Sequence, residues 1–320
     1  MKILITGAAG CLGNQVVNAL SSLSNELIPG DAVEVFATDI KENPFNEKNN
    51  LTYQRFDLRS KEFSLWLAQI KPDKIIHLAS ILQISKKMTR KMAHEIDVMV
   101  TKKLLEQSVE LGVGKFIITT SGAAYGYYPE NKNIISEDRA TKGNSDYFYS
   151  AHKAEVEALM AQYRETNPEL RQVVFRPGAI LGPNFNGPVV NLFQQTMIVG
   201  LLGYPGPFNF IWSEDIVDYI IEALTTDITG EYNIAGDGAL SMREIAKRLN
   251  KLYLPLPAWL IQGALAIAKP LGLSQYGPEQ VKFIKYRPVL ANDKIKKAFK
   301  HQPRYTSKQA LNAFLSLNQL

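Results

Sequence analysis

The sequence predicts an α/β protein: a doubly wound parallel sheet with a smaller, mostly helical C-terminal lobe. Three observations predict it. Short apolar runs alternate with amphipathic stretches through the first half of the 320 residues. A glycine-rich turn follows the first of those runs. After Arg176 the texture changes to segments rich in Pro, Gly and Asn, such as PGAILGPNFNGP. Continuous apolar strands alternating with helices pair in parallel and are covered on both faces. Right-handed crossovers then wind the sheet in both directions.

Taken in order, Lys2–Thr6 reads as a buried strand, and a helix over Cys11 to Leu23 follows the glycine turn. Further strands are expected at Val33–Thr38, Thr52–Phe56, Lys74–Ala79, Lys115–Thr119 and Arg171–Arg176, each a compact apolar run. Helical periodicity covers Lys61–Ile70, Lys86–Leu111 and Tyr147–Glu165. Beyond residue 177 the loops suit a substrate rim. Ile216–Leu224 is expected to be helical and Tyr232–Ile234 a short strand. Ser241–Asn250 reads as a helix capped by Ser241 with Glu244 as its box partner. The remainder reads as short helices broken by prolines at 255, 257, 270, 278, 288 and 303.

Composition narrows the class. With 46% hydrophobic and 21% charged residues, disordered and fibrous classes are excluded. The net charge of +5 falls largely near the end, in residues such as Lys282, Lys285, Lys296 and Lys300. No aromatic-interleaved basic platform points to nucleic acid. The single cysteine, Cys11, excludes an internal disulfide and fits a reducing compartment. The chain enters a strand at Lys2, and the apolar run Ala258–Ala268 is too short to span a bilayer. A cytoplasmic protein with no stable membrane span is therefore expected. His77, His94, His152 and His301 lack metal-ligand spacing; His77 reads as a core residue and His152 as facing solvent.

The turn Thr6-Gly7-Ala8-Ala9-Gly10-Cys11-Leu12-Gly13 lets backbone approach a pyrophosphate, which the following helix meets with its N-terminal N–H groups. Asp39 ends the second strand, where a carboxylate accepts hydrogen bonds from ribose hydroxyls and repels a 2′-phosphate. Ile40 follows it, so NAD is favoured over NADP, although Lys41 is close. Asp39 lies further from the glycines than usual, with Ser21–Asp31 as the insertion responsible.

Tyr149 and Lys153 stand i, i+4 on one helix face. An ammonium about 4 Å away at a dielectric near 20 favours the phenolate by about 4 kcal/mol. That would bring a phenol from about 10 to about 7, where it both donates and accepts a proton. Ser121 follows the fifth strand, at the carboxyl edge where ligands bind, and its hydroxyl can hold a substrate oxygen.

With TGAAGCLG at 6–13, Asp39, Phe56-Asp57-Leu58, His77-Leu78-Ala79-Ser80, TTSGAAYG at 119–126, Tyr149, Lys153, FRPGAILGP at 175–183 and Trp212-Ser213-Glu214-Asp215-Ile216-Val217, the chain resembles an extended short-chain dehydrogenase/reductase of the NAD-dependent epimerase/dehydratase type. The resemblance implies a Rossmann-type domain over 1–176, to which about 208–235 return, and a discontinuous substrate lobe over 177–320. It implies Tyr149 as acid/base, Lys153 as its cationic neighbour on the nicotinamide ribose, and Ser121 as substrate anchor. The cofactor side comprises Gly7, Ala9, Gly10, Cys11, Leu12, Gly13, Asp39, Ile40, Asp57, Leu58, Leu78, Ala79, Ser80, Thr119, Thr120, Pro177, Gly178 and Ile180. Ser121, Gly122, Ala123, Tyr149, Asn184, Phe210 and Arg287 are expected on the substrate side. The family's usual Asn-Val-x-Gly-Thr is here Asp97-Val98-Met99-Val100-Thr101. A homodimer through helices near 86–111 and 147–165 is also implied.

The substrate is open at this point. Pro207-Phe208-Asn209-Phe210-Ile211 holds no Arg for a diphosphate, and Arg287 is an ambiguous phosphate ligand. The apolar residues Phe185, Phe193, Met197, Leu201, Leu202, Tyr204, Phe208 and Phe210 form either a pocket for a hydrophobic alcohol or ketone or the core of the lobe. Residues 258–268 offer weak membrane association as a further reading. A dehydrogenase exchanging NAD(H), a nucleotide-sugar epimerase or dehydratase that keeps its NAD, and a non-catalytic dinucleotide sensor are the three functional readings.

Overall fold

The structure, a computed structural model, describes residues 1–22, 32–85, 88–131, 133–273 and 277–319. Leu23, most of the insertion at Ser21–Asp31, and Lys86 with Lys87 lie outside the described residues. In chain order the first half runs β1 (Lys2–Thr6), α1 (Cys11–Ser22), β2 (Glu34–Asp39), β3 (Leu51–Arg55), α2 (Lys61–Ile70) and β4 (Lys74–His77). It continues with α3 (Arg90–His94), a π-helical turn (Glu95–Met99), α4 (Val100–Glu110), β5 (Lys115–Thr119), a 3₁₀ turn (Gly122–Tyr125), α5 (Phe148–Thr166) and β6 (Arg171–Pro177). The expected long helix over Lys86–Leu111 is thus interrupted at Asp97. π-turns mark functional sites more often than chance.

The second half adds β7 (Ala179–Leu181), α6 (Pro188–Phe193), β8 (Met197–Leu201), β9 (Phe210–Trp212), α7 (Ser213–Thr225) and β10 (Gly230–Ile234). It ends with α8 (Met242–Arg248), β11 (Leu252–Leu256), α9 (Ala258–Ala268), a 3₁₀ turn (Pro278–Gln280), α10 (Val281–Lys285), α11 (Asp293–Ala298) and α12 (Ser307–Asn318).

The central sheet has seven strands in the order β10-β6-β5-β4-β1-β2-β3, and the pairs are parallel. Thr6 lies beside Thr38 on one neighbour and His77 on the other, so the loops after β1, β2 and β4 leave one edge together. The chain reverses direction across the sheet between β1 and β4, which opens a crevice there. One face buries Val16, Val17 and Leu20 of α1 with Ile216, Tyr219 and Ile220 of α7. The other buries Phe63, Leu67, Leu104, Leu105, Val156 and Met160 from α2, α4 and α5.

The lobe has its own core. Phe193, Leu201, Phe208 and Phe210 are buried, and three of them pack with Leu311 and Phe314 of α12. These four side chains therefore fill the lobe, whereas Met197 and Leu202 are exposed. Two strands replace expected irregular or helical structure: β11 pairs with β8 over Leu252↔Met197 to Leu256↔Leu201. Pro255 is tolerated because this sheet has two strands and leaves an edge free of pairing. None of the eleven residues of α9 is buried, and Trp259 is 71% exposed.

Candidate functional site

The glycine turn is built by close approach. Gly7 adopts φ +71°, and a Cβ there would lie 2.5 Å from the Ala79 nitrogen. Gly13 similarly sits against the Gly7 carbonyl. Gly10 N donates to Gly7 O at 3.1 Å, and Ala8 N donates to Thr38 O at 3.1 Å. The first-turn N–H groups of α1, from Cys11 onward, point out of the helix without intrahelical acceptors. They form a donor set suited to a pyrophosphate.

Asp39 stands across the turn. Its Oδ2 accepts from Ala9 N at 3.1 Å and its Oδ1 from Lys41 N at 3.1 Å. The carboxylate thus fixes the loop and keeps lone pairs for a ribose. Lys41 Nζ also reaches Ala9 O at 3.5 Å, and Ile40 is 60% exposed beside it. Asp57 is held by Arg59 at 2.7 Å, and that hydrogen bond brings its carboxyl below the usual range. Leu58 is buried. Leu78 N donates to Thr6 O at 3.1 Å, and Ala79 packs on the Gly7 face.

On the other side, Ser121 opens the 3₁₀ turn, and its Oγ accepts from Ala123 N at 3.1 Å. Ser121 stands beside the phenol of Tyr149 and favours its ionised form. The Lys153 ammonium lies over the Tyr149 ring, 5.6 Å from its centroid, and donates to Thr119 O at 3.3 Å. The three expected groups therefore meet at the carboxyl end of β5. The electrostatics differ from the expectation of a lowered phenol. Burial pushes Tyr149 above its ordinary value, Ser121 opposes this, and Tyr127 and Asp97 add to it. Burial likewise lowers Lys153, while Asp97 and Glu157 hold it up. Burial dominates at both groups, and the ammonium does not bring the phenol down.

Other expected residues have different tasks. Thr120 is buried and donates to Glu157 Oε1 at 2.6 Å, turning its hydroxyl toward the Arg176–Glu157 ion pair beneath α5. Pro177 ends β6, and Gly178 N donates to Ile234 O at 2.9 Å. Gly178 packs so tightly on Asn209 that a Cβ would sit 2.9 Å from its carbonyl oxygen. Ile180 is partly buried against the α1 side of the core. Asn184, with φ 60°, offers its carbonyl to Cys11 Sγ at 3.3 Å, so it borders the glycine turn and not Ser121. Phe210 is fully buried in the lobe core, its N–H bonded to Ser307 Oγ at 3.0 Å, and offers no surface to a ligand. Arg287 stacks on Phe208 at 3.9 Å, and its Nε is buried with no partner. Gly122 and Ala123 form the floor beneath Leu290 and Phe283, and a Cβ at Gly122 would lie 2.9 Å from Leu290 Cδ1.

Sequence reasoning missed several residues around this centre. Tyr127, Tyr147, Phe283 and Tyr286 form an aromatic wall beside Tyr149, with Phe283 4.2 Å from the Tyr147 ring and 4.7 Å from that of Tyr127. The solvent-facing expectation for His152 is wrong: it is buried, with Nδ1 2.9 Å from Asp97 Oδ2. No spacing rule links positions 55 residues apart. Asp97 also accepts from Ile81 N at 2.8 Å, which draws its turn toward the β4 exit.

Residues 3–235 match the model of the NAD dependent epimerase/dehydratase family. The chain belongs to this family. Among relatives of this family member, sterol demethylase protein B of Methylococcus capsulatus is 25% identical, over 85% of this chain and 82% of its own. Two solved structures share the fold. UDP-glucose 4-epimerase of Thermotoga maritima, with UDP-glucose, superposes with a TM-score of 0.75 at 18% identity over 100% and 99% of the two chains. UDP-glucose 4-epimerase of Thermus thermophilus, with NAD, gives 0.74 at 21% identity over 100% and 99%. No described helix is long and apolar enough to cross a membrane.

Proposed function

We propose that this chain is an NAD-dependent oxidoreductase acting at a secondary alcohol or ketone carbon of a hydrophobic substrate, with residues 1–176 and about 208–235 as the cofactor domain. The meeting of Ser121, Tyr149 and Lys153 at the crevice carries the reading. Bound NAD supplies the hydride acceptor or donor. The first turn of α1 would hold its pyrophosphate and Asp39 its adenosine ribose, whose diol matches the free carboxylate lone pairs. Across from it, Ser121 holds the substrate oxygen and Tyr149 moves the proton at that oxygen. Lys153 places positive charge beside the Tyr149 ring, where charge develops as the proton moves.

The aromatic wall of Tyr127, Tyr147 and Phe283, and the Arg-free segment 207–211, support a hydrophobic substrate, as does the name of the Methylococcus relative. A nucleotide-sugar substrate with retained NAD is the second reading, favoured by the unpartnered Nε of Arg287 and by the two epimerases. Native mass spectrometry separates them: bound NAD or sugar nucleotide, with turnover needing no added cofactor, selects the second. For either, Tyr149→Phe should lower turnover by at least about 10²-fold with NAD affinity nearly unchanged. Equal activity in that variant would reject the acid/base assignment. The single cysteine suits a cytoplasmic enzyme, and the family resemblance suggests a homodimer.

A further inference from the structure

Asp97 and His152 are buried titratable groups that the proposed reaction leaves without a task. Their side chains are 2% and 8% exposed. Asp97 sits in the π-turn, and its two oxygens face different elements. Oδ1 accepts from Ile81 N at 2.8 Å and from Ser80 Oγ at 3.3 Å, on the stretch that leaves β4 beside the crevice. Oδ2 meets His152 Nδ1 at 2.9 Å, on the helix that carries Tyr149 and Lys153. An ionised carboxylate only accepts, so His152 Nδ1 must carry the proton. Behind it the His94 ring stands edge-on at 5.2 Å, and His94 Nε2 lies 3.0 Å from the half-exposed Glu155.

A neutral amide at 97 would satisfy Ile81 N–H equally well. The carboxylate adds a fixed negative charge in a site closed to water. Resting on the reading of Tyr149 and Lys153 above, we propose that Asp97 and His152 form a positioning pair: the carboxylate clamps Ser80–Ile81 to the catalytic helix and sets the charge balance around Lys153 and Tyr149.

The charged and titratable groups that act on Lys153 are Asp97, Glu157, His77 and the Tyr149 ring. Those acting on Tyr149 are Ser121, Tyr127 and Asp97. Asp97 favours the protonated form of both Lys153 and Tyr149. Removing its charge therefore displaces both ionisations toward acid. A structural lesion lowers a pH profile without moving it.

The test uses the full chain, with D97N and H152Q as variants. Nitrogen-15 spectra of the histidines, with His152 identified by its loss in H152Q, should show the Nδ1–H form in the wild type. The pH profile of turnover, run with NAD and whichever secondary alcohol, ketone or UDP-sugar reacts, should move toward acid on both limbs by about one unit in D97N, with the unfolding midpoint retained. H152Q, whose amide still donates to Asp97, should keep the wild-type limbs. An Nε2–H form of His152, or a D97N profile lowered but not displaced, overturns the proposal. Absence of turnover in the wild type counts against the proposed function, and the histidine spectrum then decides the pair alone.

Discussion

His77 shows how a single side chain couples the sheet to pH. It lies in β4 with Nδ1 2.6 Å from Thr6 Oγ1 and Nε2 3.1 Å from Thr101 Oγ1, so both ring nitrogens are satisfied as a neutral imidazole. Burial pushes it down to about 3, and the Lys153 cation helps. In the unfolded chain the same ring titrates near 6.5. Between these values the unfolded chain binds a proton that the folded chain refuses. The stability contributed is complete above about 6.5 and is lost as pH falls toward 3. Urea unfolding at pH 7 and pH 4.5 should show that wild type loses about 2 kcal/mol more than His77→Gln between the two conditions. Equal losses would mean that another group carries the acid sensitivity.

At the scale of elements, local chemistry was readable and distant chemistry was not. Ser241 and Glu244 announced the start of α8, and both halves of the capping box form, with Glu244 N 3.2 Å from Ser241 Oγ and Ser241 N 2.8 Å from Glu244 Oε2. Ser241→Ala should cost about 1 kcal/mol, seen as a lower urea midpoint at unchanged slope. The strands before the crevice were legible for the same reason: each is a short apolar run whose burial needs no partner to be guessed. The interruption of the Lys86–Leu111 pattern was hidden, because it depends on contacts from Asp97 to Ile81 and to His152. Periodicity around Asp97 says nothing about either partner. The strands β8 and β11 were hidden by the same distance and by Pro255. Phe210 shows the remaining limit. An apolar residue in a three-residue strand reads alike whether it lines a cleft or fills a core, and only the packing of α12 decides. Of the site, the turn at 6–13 with Asp39 and the Ser121-Tyr149-Lys153 cluster were visible. The aromatic wall was not, since Phe283 arrives from α10, over a hundred residues after Tyr149.

At the scale of the whole molecule, the proposed homodimer has two candidate apolar surfaces among the described residues. One is the outer side of α3 and the π-turn, where Met99 is 48% exposed and Met92 and Ile96 are partly buried. Their spacing places them along one helical stripe beside α5. The other is α9 with Trp259. The first adjoins the helix that carries Tyr149 and Lys153, so pairing there would brace that helix and the Asp97 turn from outside. A stable interface needs about 800 Å² from each partner, which α3, α4 and α5 together can offer more readily than one isolated helix. Light scattering should therefore give twice the mass of the chain, and Met99→Glu should return it to that of one chain, because a charge buried at the centre of an interface lacks a partner. Trp259→Glu should leave the mass doubled. The opposite pair of results would move the interface to α9 and remove the external brace from the helix that carries Tyr149 and Lys153.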